Sequence, residues 1–262
     1  MDGYANKIDI TITVDGEIII QDNGRGIPTG INAETGKSAL SLVFTQLHAG
    51  GKFDSESYKI SGGLHGVGAS VVNALSLYVD VDVYRENTHY HQVFSKGGTE
   101  ETELENLGFT QLKGTRVRFK PDPEIFLETT TFDYEVIRNK AKQLAYLNKG
   151  LKITLTDQRI DKTVDYLFVN GILDYIKEKN ESKTVINPSI FYVDAKYKDI
   201  EVEVALQYNS DYQENLVTFV NNINTMEGGS HEDGLKQALI RDINRYADNV
   251  IKNNKSNGKY SW

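Results

Sequence analysis

Two glycine clusters carry the side chains most able to do chemistry. The first, Asp22-Asn23-Gly24-Arg25-Gly26-Ile27-Pro28, sets a carboxylate beside a backbone that a ligand can approach closely. The second, Gly62-Gly63-Leu64-His65-Gly66-Val67-Gly68, runs into the apolar stretch Ala69-Ser70-Val71-Val72-Asn73-Ala74-Leu75. Four glycines in seven residues cost backbone entropy that a simple packed element has no reason to bear. Such a loop leading into a helix start offers N–H groups and the positive end of a helix dipole to an anion. A buried acid is selective for a ring amino group, because a base presenting a carbonyl there leaves buried groups unpaired. An acid for a base edge and amides for phosphates together describe a nucleotide site.

Each motif has a plainer counterpart. Asp-Asn-Gly alone is a common turn; its continuation through Arg25-Gly26-Ile27-Pro28 and its place at a strand end set it apart. The second cluster is not a dinucleotide fingerprint, because Val71 stands where the third small residue belongs. Gly30-Ile31-Asn32-Ala33-Glu34-Thr35-Gly36-Lys37-Ser38 imitates a P-loop but has five residues between its glycines instead of four, and no strand enters it. It reads as a surface turn ending in a helix cap. Lys52, in His48-Ala49-Gly50-Gly51-Lys52-Phe53, is either a cation reaching the phosphates or a solvated lysine. His48 and His65 have no neighbours at metal-ligand spacing. Thr115, in Gly114-Thr115-Arg116-Val117, opens a strand, where a threonine needs no ligand to explain it.

The elements that must position these residues follow from hydrophobic period. Ile8, Ile10, Ile12 and Val14 alternate with polar residues, which predicts a strand with one buried face over 7–14. Asp15-Gly16 is a hairpin signal, and Glu17 to Gln21 returns as a strand that delivers Asp22 into the loop. Ser38 caps a predicted helix to His48. Gly50 to Gly63 lacks periodicity, the profile of a mobile lid. Strands are predicted over 78–85, 89–95, 115–120, 151–156 and 164–169, a helix from near Gly66 and another over 132–147. Beyond a polar run at Lys177 to Pro188, the segments 200–208 and 214–221 are predicted to form a hairpin about Asn209-Ser210-Asp211, before a long helix over 231–253. Antiparallel strands mixed with a few helices predict an α+β fold.

Bulk properties bound the rest. The 262 residues, 39% hydrophobic and 25% charged, suit one large or two ordinary globular domains. With no cysteine, disulfides and thiolate metal sites are excluded, and a cytoplasmic location is the expectation. No apolar run approaches the ~20 residues needed to span a bilayer, so no membrane partner is expected. A formal charge of −8 argues against an unaided grip on nucleic acid.

The first cluster, His48-Ala49-Gly50-Gly51-Lys52-Phe53 and Ser61-Gly62-Gly63-Leu64-His65-Gly66-Val67-Gly68 closely resemble the ATPase region of bacterial type II topoisomerase B-type subunits, meaning the gyrase B subunit or its topoisomerase IV counterpart. The similarity runs over nearly the whole chain, including Gly228-Gly229-Ser230-His231. The first motif alone marks only the wider GHKL superfamily, with Hsp90, MutL proteins and histidine kinases; the other two are specific to the topoisomerase branch. The resemblance implies a GHKL (Bergerat-type) ATP-binding sandwich of a mixed, mostly antiparallel sheet and helices over 1–180. Part of a ribosomal-S5-like α/β transducer would follow over 181–262. It implies ATP and Mg2+ as cofactors, self-dimerisation on ATP binding in the full-length protein, an A-type partner subunit, and DNA engaged through the complete enzyme. Asp22 would take the adenine amino group with Thr115 assisting. Gly26, Ile27, Pro28 and Val43 would line the base pocket, Lys52 and Gly63, Leu64, His65, Gly66, Val67 and Gly68 would hold the phosphates, and Arg85 would stand at the pocket mouth.

Family members carry an upstream Glu-x-x-x-Asn helix that supplies the general base and the magnesium ligand, and a later Gln-Thr-Lys loop reaching the terminal phosphate. This chain starts and stops short of both, so no catalytic and no metal-ligating residue is assigned, and hydrolysis by the fragment alone is expected to be very weak. Glu135-Val136-Ile137-Arg138-Asn139 repeats the spacing in a different helix and is a coincidence. One alternative is a degenerate GHKL paralogue that binds nucleotide or a partner without catalysis; a MutL-like clamp is disfavoured by the lid sequence.

Overall fold

The computed structural model describes residues 4–47 and 66–254, the last four of them as helical backbone only. The described chain falls into two compact units divided after Tyr212.

In the first unit the strands are β1 (Lys7–Ile12), β2 (Ile18–Asp22), β3 (Ser76–Arg85), β4 (Thr88–Ser95), β5 (Glu100–Glu101), β6 (Glu105–Phe109), β7 (Gly114–Pro121), β8 (Lys152–Asp157), β9 (Lys162–Tyr166), β10 (Phe191–Tyr197) and β11 (Ile200–Leu206). The helices are α1 (Ala39–Thr45), α2 (Gly68–Ala74), α3 (Tyr134–Leu147) and α4 (Ile172–Asn180). Nine strands form one sheet in the order β5-β4-β3-β7-β2-β1-β8-β9, with β6 also on β4. Every pairing is antiparallel except β1 with β8. This is the mixed, mostly antiparallel sheet of an α+β fold.

Register decides which face each side chain joins. Ile10 pairs with Ile20, Ile20 with Val117, and Val117 with Val81. The neighbouring rows contribute Ile12, Ile18, Phe119, Val79 and Phe94. On this inner face Leu40 and Phe44 of α1 pack with Val79, Val81, Val83 and Phe94 into one cluster. Under α3, Ala141 and Ala145 pack with Leu151, Ile153 and Tyr166. The outer face is polar but tightly paired. Glu17 is 4% exposed and accepts hydrogen bonds from the Tyr78 hydroxyl and from Arg118 Nε at 2.7 Å. Asp82 accepts from Arg116 Nη1 at 2.7 Å and meets His89 Nε2 at 2.7 Å.

Local chemistry accounts for the ends of elements. Ser38 Oγ accepts the Ser41 N–H at 3.0 Å, and Asp133 Oδ1 accepts the N–H groups of Glu135 and Val136; both are N-caps. Gly16 turns the β1–β2 hairpin at φ +75, a conformation glycine adopts without strain.

One predicted pairing is corrected. Segment 200–208 does not pair with 214–221; β11 pairs with β10, Tyr197 opposite Ile200, across a two-residue turn at Lys198-Asp199. Asn209 does form a turn, its Oδ1 accepting the Asp211 N–H at 2.9 Å, but no ladder grows from it. The α4 helix, whose last residues run into the polar stretch that begins at Lys177, is an addition, as are β5 and β6.

In the second unit β12 (Phe219–Val220) and β13 (Ile223–Asn224) form a short antiparallel pair, and α5 (Ser230–Asn254) is the long predicted helix.

Candidate functional site

Asp22 ends β2 on the inner, apolar face. Its row contains Ile8, its register partner on β1, and on the other side Thr115, one residue beyond the Gln21–Arg116 pair. The Gly24 N–H donates to Asp22 Oδ1 at 2.7 Å. Burial pushes the carboxyl above its ordinary range, against hydrogen bonds from the backbone N–H groups of Gly24 and Thr115 that pull it down. An acid on the apolar face of the sheet, held by backbone amides, suits the recognition of a polar group on an otherwise apolar ligand.

The loop after Asp22 is fastened at several points. Asn23 Oδ1 accepts the N–H groups of Asn6 and Lys7, both at 3.0 Å, tying the loop to the start of β1. A β-carbon on Gly24 would sit 2.9 Å from Asp22 Oδ1, so glycine there leaves room for the carboxylate. Gly26 takes φ +75 with its would-be β-carbon 3.0 Å from the Tyr84 carbonyl oxygen. The Ile27 N–H donates to Thr115 Oγ1 at 3.2 Å, and Arg85 Nη1 donates to the Gly26 carbonyl at 3.0 Å. Arg25 points away, over the Tyr4 ring at 3.9 Å.

Asp22, Gly26, Ile27 and Thr115 are therefore one constellation. Val43 on α1 joins it indirectly: Val43 and Ile27 both pack against the inner-face cluster. Pro28 is exposed. Gly66, at φ +59, and Val67 lead to Gly68, the first residue of α2, whose Ala69 packs on the same cluster. His48, Lys52, Gly63, Leu64 and His65, with the predicted lid, lie outside the described residues. Glu135 and Asn139 belong to α3, where Glu135 pairs with Arg138 at 2.8 Å.

Three residues of the site escaped the sequence reading. Ile20 and Val117 are register partners one row from Asp22, and Ile20 is still 39% exposed, so an apolar floor beside the acid stays open to a flat ring. Gly114 backs Asp22 directly: a β-carbon there would lie 2.0 Å from the Asp22 carbonyl oxygen. Strand alternation at 18–22 could have indicated Ile20; Val117 and Gly114 depend on a pairing between distant segments. Among the described residues no group of three His, Cys, Asp or Glu side chains could hold a metal ion, and no helix is long and apolar enough to cross a membrane.

Comparison with known proteins gives the family and the fold. Residues 1–125 match the family model of histidine kinase-, DNA gyrase B- and HSP90-like ATPases, and residues 171–262 match that of DNA gyrase B. The chain is 53% identical over 266 residues to the DNA gyrase B subunit of Spiroplasma citri, covering 99% of this chain and 41% of that protein. It is 49% identical over 247 residues to the DNA gyrase B subunit of Staphylococcus aureus strain Mu50, covering 93% and 38%. The crystal structure of the 43K ATPase domain of Thermus thermophilus gyrase B, in complex with an aminocoumarin, superposes with a TM-score of 0.81 at 35% identity, covering 99% of this chain and 66% of that one. The fold is that of a GHKL-type ATPase region. The chain belongs to the B-type subunits of bacterial type II topoisomerases, the gyrase B family. It spans about two fifths of the length of the curated relatives it matches.

Proposed function

We propose that this chain binds ATP and, within the whole subunit, uses it to drive DNA strand passage by a type II topoisomerase. The observation that carries the reading is Asp22 itself: a carboxylate on the apolar face of the sheet, oriented by the Gly24 N–H and flanked by Thr115. Ionised, it accepts the exocyclic N–H of adenine; guanine would present a carbonyl oxygen to it and leave both groups unpaired. Ile20, Val117, Ile27 and Val43 supply apolar walls for the ring, with Pro28 at the exposed rim. The start of α2, Gly66 to Gly68, offers backbone N–H groups to the phosphates, and Gly63, Leu64, His65 and Lys52 are assigned there by resemblance. Bound ATP brings a triphosphate whose terminal bond is the energy source and which is normally accompanied by Mg2+; no described residue is assigned to that ion.

The same reading divides the chain at 180/181 into an ATP-binding region and the first part of a transducer. It makes the natural partners an A-type topoisomerase subunit, DNA through the complete enzyme, and a second copy of the full-length subunit when ATP is bound. It also places the protein in the cytoplasm, where its DNA lies.

Calorimetric titration with a non-hydrolysable ATP analogue tests the site. The unsubstituted chain should bind it and prefer it to the guanine counterpart, and Asp22→Asn should weaken binding by about a hundredfold. Equal affinity of the two proteins for the analogue would sink the assignment of Asp22.

A further inference from the structure

The single peptide unit joining Gly26 to Ile27 is gripped on both sides. Its carbonyl accepts from Arg85 Nη1 at 3.0 Å, and its N–H donates to Thr115 Oγ1 at 3.2 Å. Arg85 is the last residue of β3 and Thr115 the second of β7, strands that pair at Val83–Thr115. Both fingers of the grip thus grow from the rigid sheet and not from another loop. The glycine at 26 lets the loop seat against the same strands, with its would-be β-carbon 3.0 Å from the Tyr84 carbonyl oxygen and 3.1 Å from that of Gly114. Arg85 Nε is meanwhile engaged by Glu86 Oε1 at 3.1 Å, which holds the guanidinium plane.

We propose that Arg85 is a positioning residue for the base: it acts through the Gly26 carbonyl to fix the Gly26–Ile27 peptide, and with it the Ile27 wall, without touching the phosphates. The inference rests on the reading of the Asp22 cleft as an adenine site. A wall fixed before binding spares the ligand the ordering of that loop. Without Arg85 the carbonyl loses its only side-chain donor among the described residues, the Thr115 bond alone permits the plane to rock, and Ile27 no longer holds one position.

The test pairs two readouts on Arg85→Gln and Arg85→Lys. In the first, hydrogen exchange of the Ile27 amide is followed in the chain without nucleotide. Arg85→Gln should exchange about tenfold faster than the unsubstituted chain, and Arg85→Lys, whose ammonium can still reach the carbonyl, should fall between. In the second, adenosine, ADP and a non-hydrolysable ATP analogue are titrated. Arg85→Gln should weaken all three by the same factor, about tenfold, and Arg85→Lys by a smaller common factor. A loss that grows from adenosine to the triphosphate would show a phosphate contact and overturn the proposal. Unchanged Ile27 exchange in Arg85→Gln would overturn it equally. Should Arg85→Gln not fold, Arg85→Lys decides by the same criteria. If the unsubstituted chain fails to bind adenosine, the adenine reading falls, while the Ile27 amide still reports whether Arg85 fixes the peptide.

Discussion

Gly114 stands so close to Asp22 that a β-carbon on it would lie 2.0 Å from the Asp22 carbonyl oxygen and 2.7 Å from the carbonyl carbon. Its φ of +111 is also a value that side chains with a β-carbon rarely adopt. The close approach brings the start of β7 against the end of β2, which is what sets Thr115 beside the carboxylate. Gly114→Ala should therefore lower stability by more than about 2 kcal/mol through strain and displaced backbone. It should also weaken binding of the ATP analogue. Urea unfolding and calorimetry check the two effects, and wild-type values in both would refute the packing argument.

On the opposite face of the sheet, Glu17 illustrates how a buried charge is kept. Burial pushes its carboxyl up, but hydrogen bonds from Tyr78 and Arg118 outweigh this and leave it below the usual carboxylate range. In return, burial and the Glu17 contact push the Tyr78 hydroxyl up to about 12. Arg118→Ala leaves Glu17 short of a partner at 4% exposure and should cost about 1–3 kcal/mol. The arginine is itself 35% exposed, so the loss should stay below that of a fully enclosed pair. For a carboxyl lowered by folding, the stabilisation is present above the ordinary glutamate pKa and disappears as pH falls through the lower folded value. The penalty of Arg118→Ala should accordingly be full at pH 7 and shrink in strong acid, as denaturant melts across that range would show.

How much of this was legible in the sequence varies with how local the cause is. Asp22 falls at the strand end expected of it because alternation over 18–22 and the glycines after it are neighbours in the chain. Ser38 as a cap and α3, expected over 132–147 and formed at Tyr134–Leu147, were legible for the same reason. The β10–β11 hairpin was not. Phe191–Tyr197 is largely exposed, so its side chains do not alternate cleanly, and Lys198-Asp199 carries no glycine although Lys198 takes φ +55. Asn209-Ser210-Asp211 had the better turn chemistry and drew the pairing to the wrong partner. The α4 helix was hidden because it is short, follows Gly171 and ends in Lys177-Glu178-Lys179-Asn180, the start of a polar run that reads as a linker. At the site, Gly114 and Val117 were missed because their meaning depends on β7 pairing with β2, some ninety residues away in the chain.

Phe94 connects the sheet to the helix just before the undescribed segment. It is fully buried and stacks on Phe44 of α1 with ring centroids 5.2 Å apart. Phe94→Ala should destabilise by about 3–5 kcal/mol, the cost of lost burial plus the cavity left behind. Phe94→Leu, which keeps most of the volume, should cost less than about 2 kcal/mol. Thermal or urea unfolding of the two variants gives the ordering, and an equal loss for both would mean that ring stacking and not volume dominates.

Asp22 should show the opposite balance between stability and binding. Because burial raises its carboxyl pKa on folding, the folded chain holds a proton there more readily than the unfolded chain does. Stability therefore falls as pH climbs from the ordinary aspartate value through the raised folded one, and the ionised acid is carried at neutral pH as a standing penalty. Asp22→Asn removes that penalty while its amide oxygen can still accept the Gly24 N–H. At pH 7 the variant should unfold at the same temperature as the unsubstituted chain or higher, and the difference should close as pH approaches the ordinary aspartate range. A lower midpoint for Asp22→Asn at pH 7 would mean that the carboxylate stabilises the fold, and would weaken the case that it is kept for a ligand. A chain that gains stability and loses nucleotide on this one substitution would mark Asp22 as held in place by binding rather than by folding.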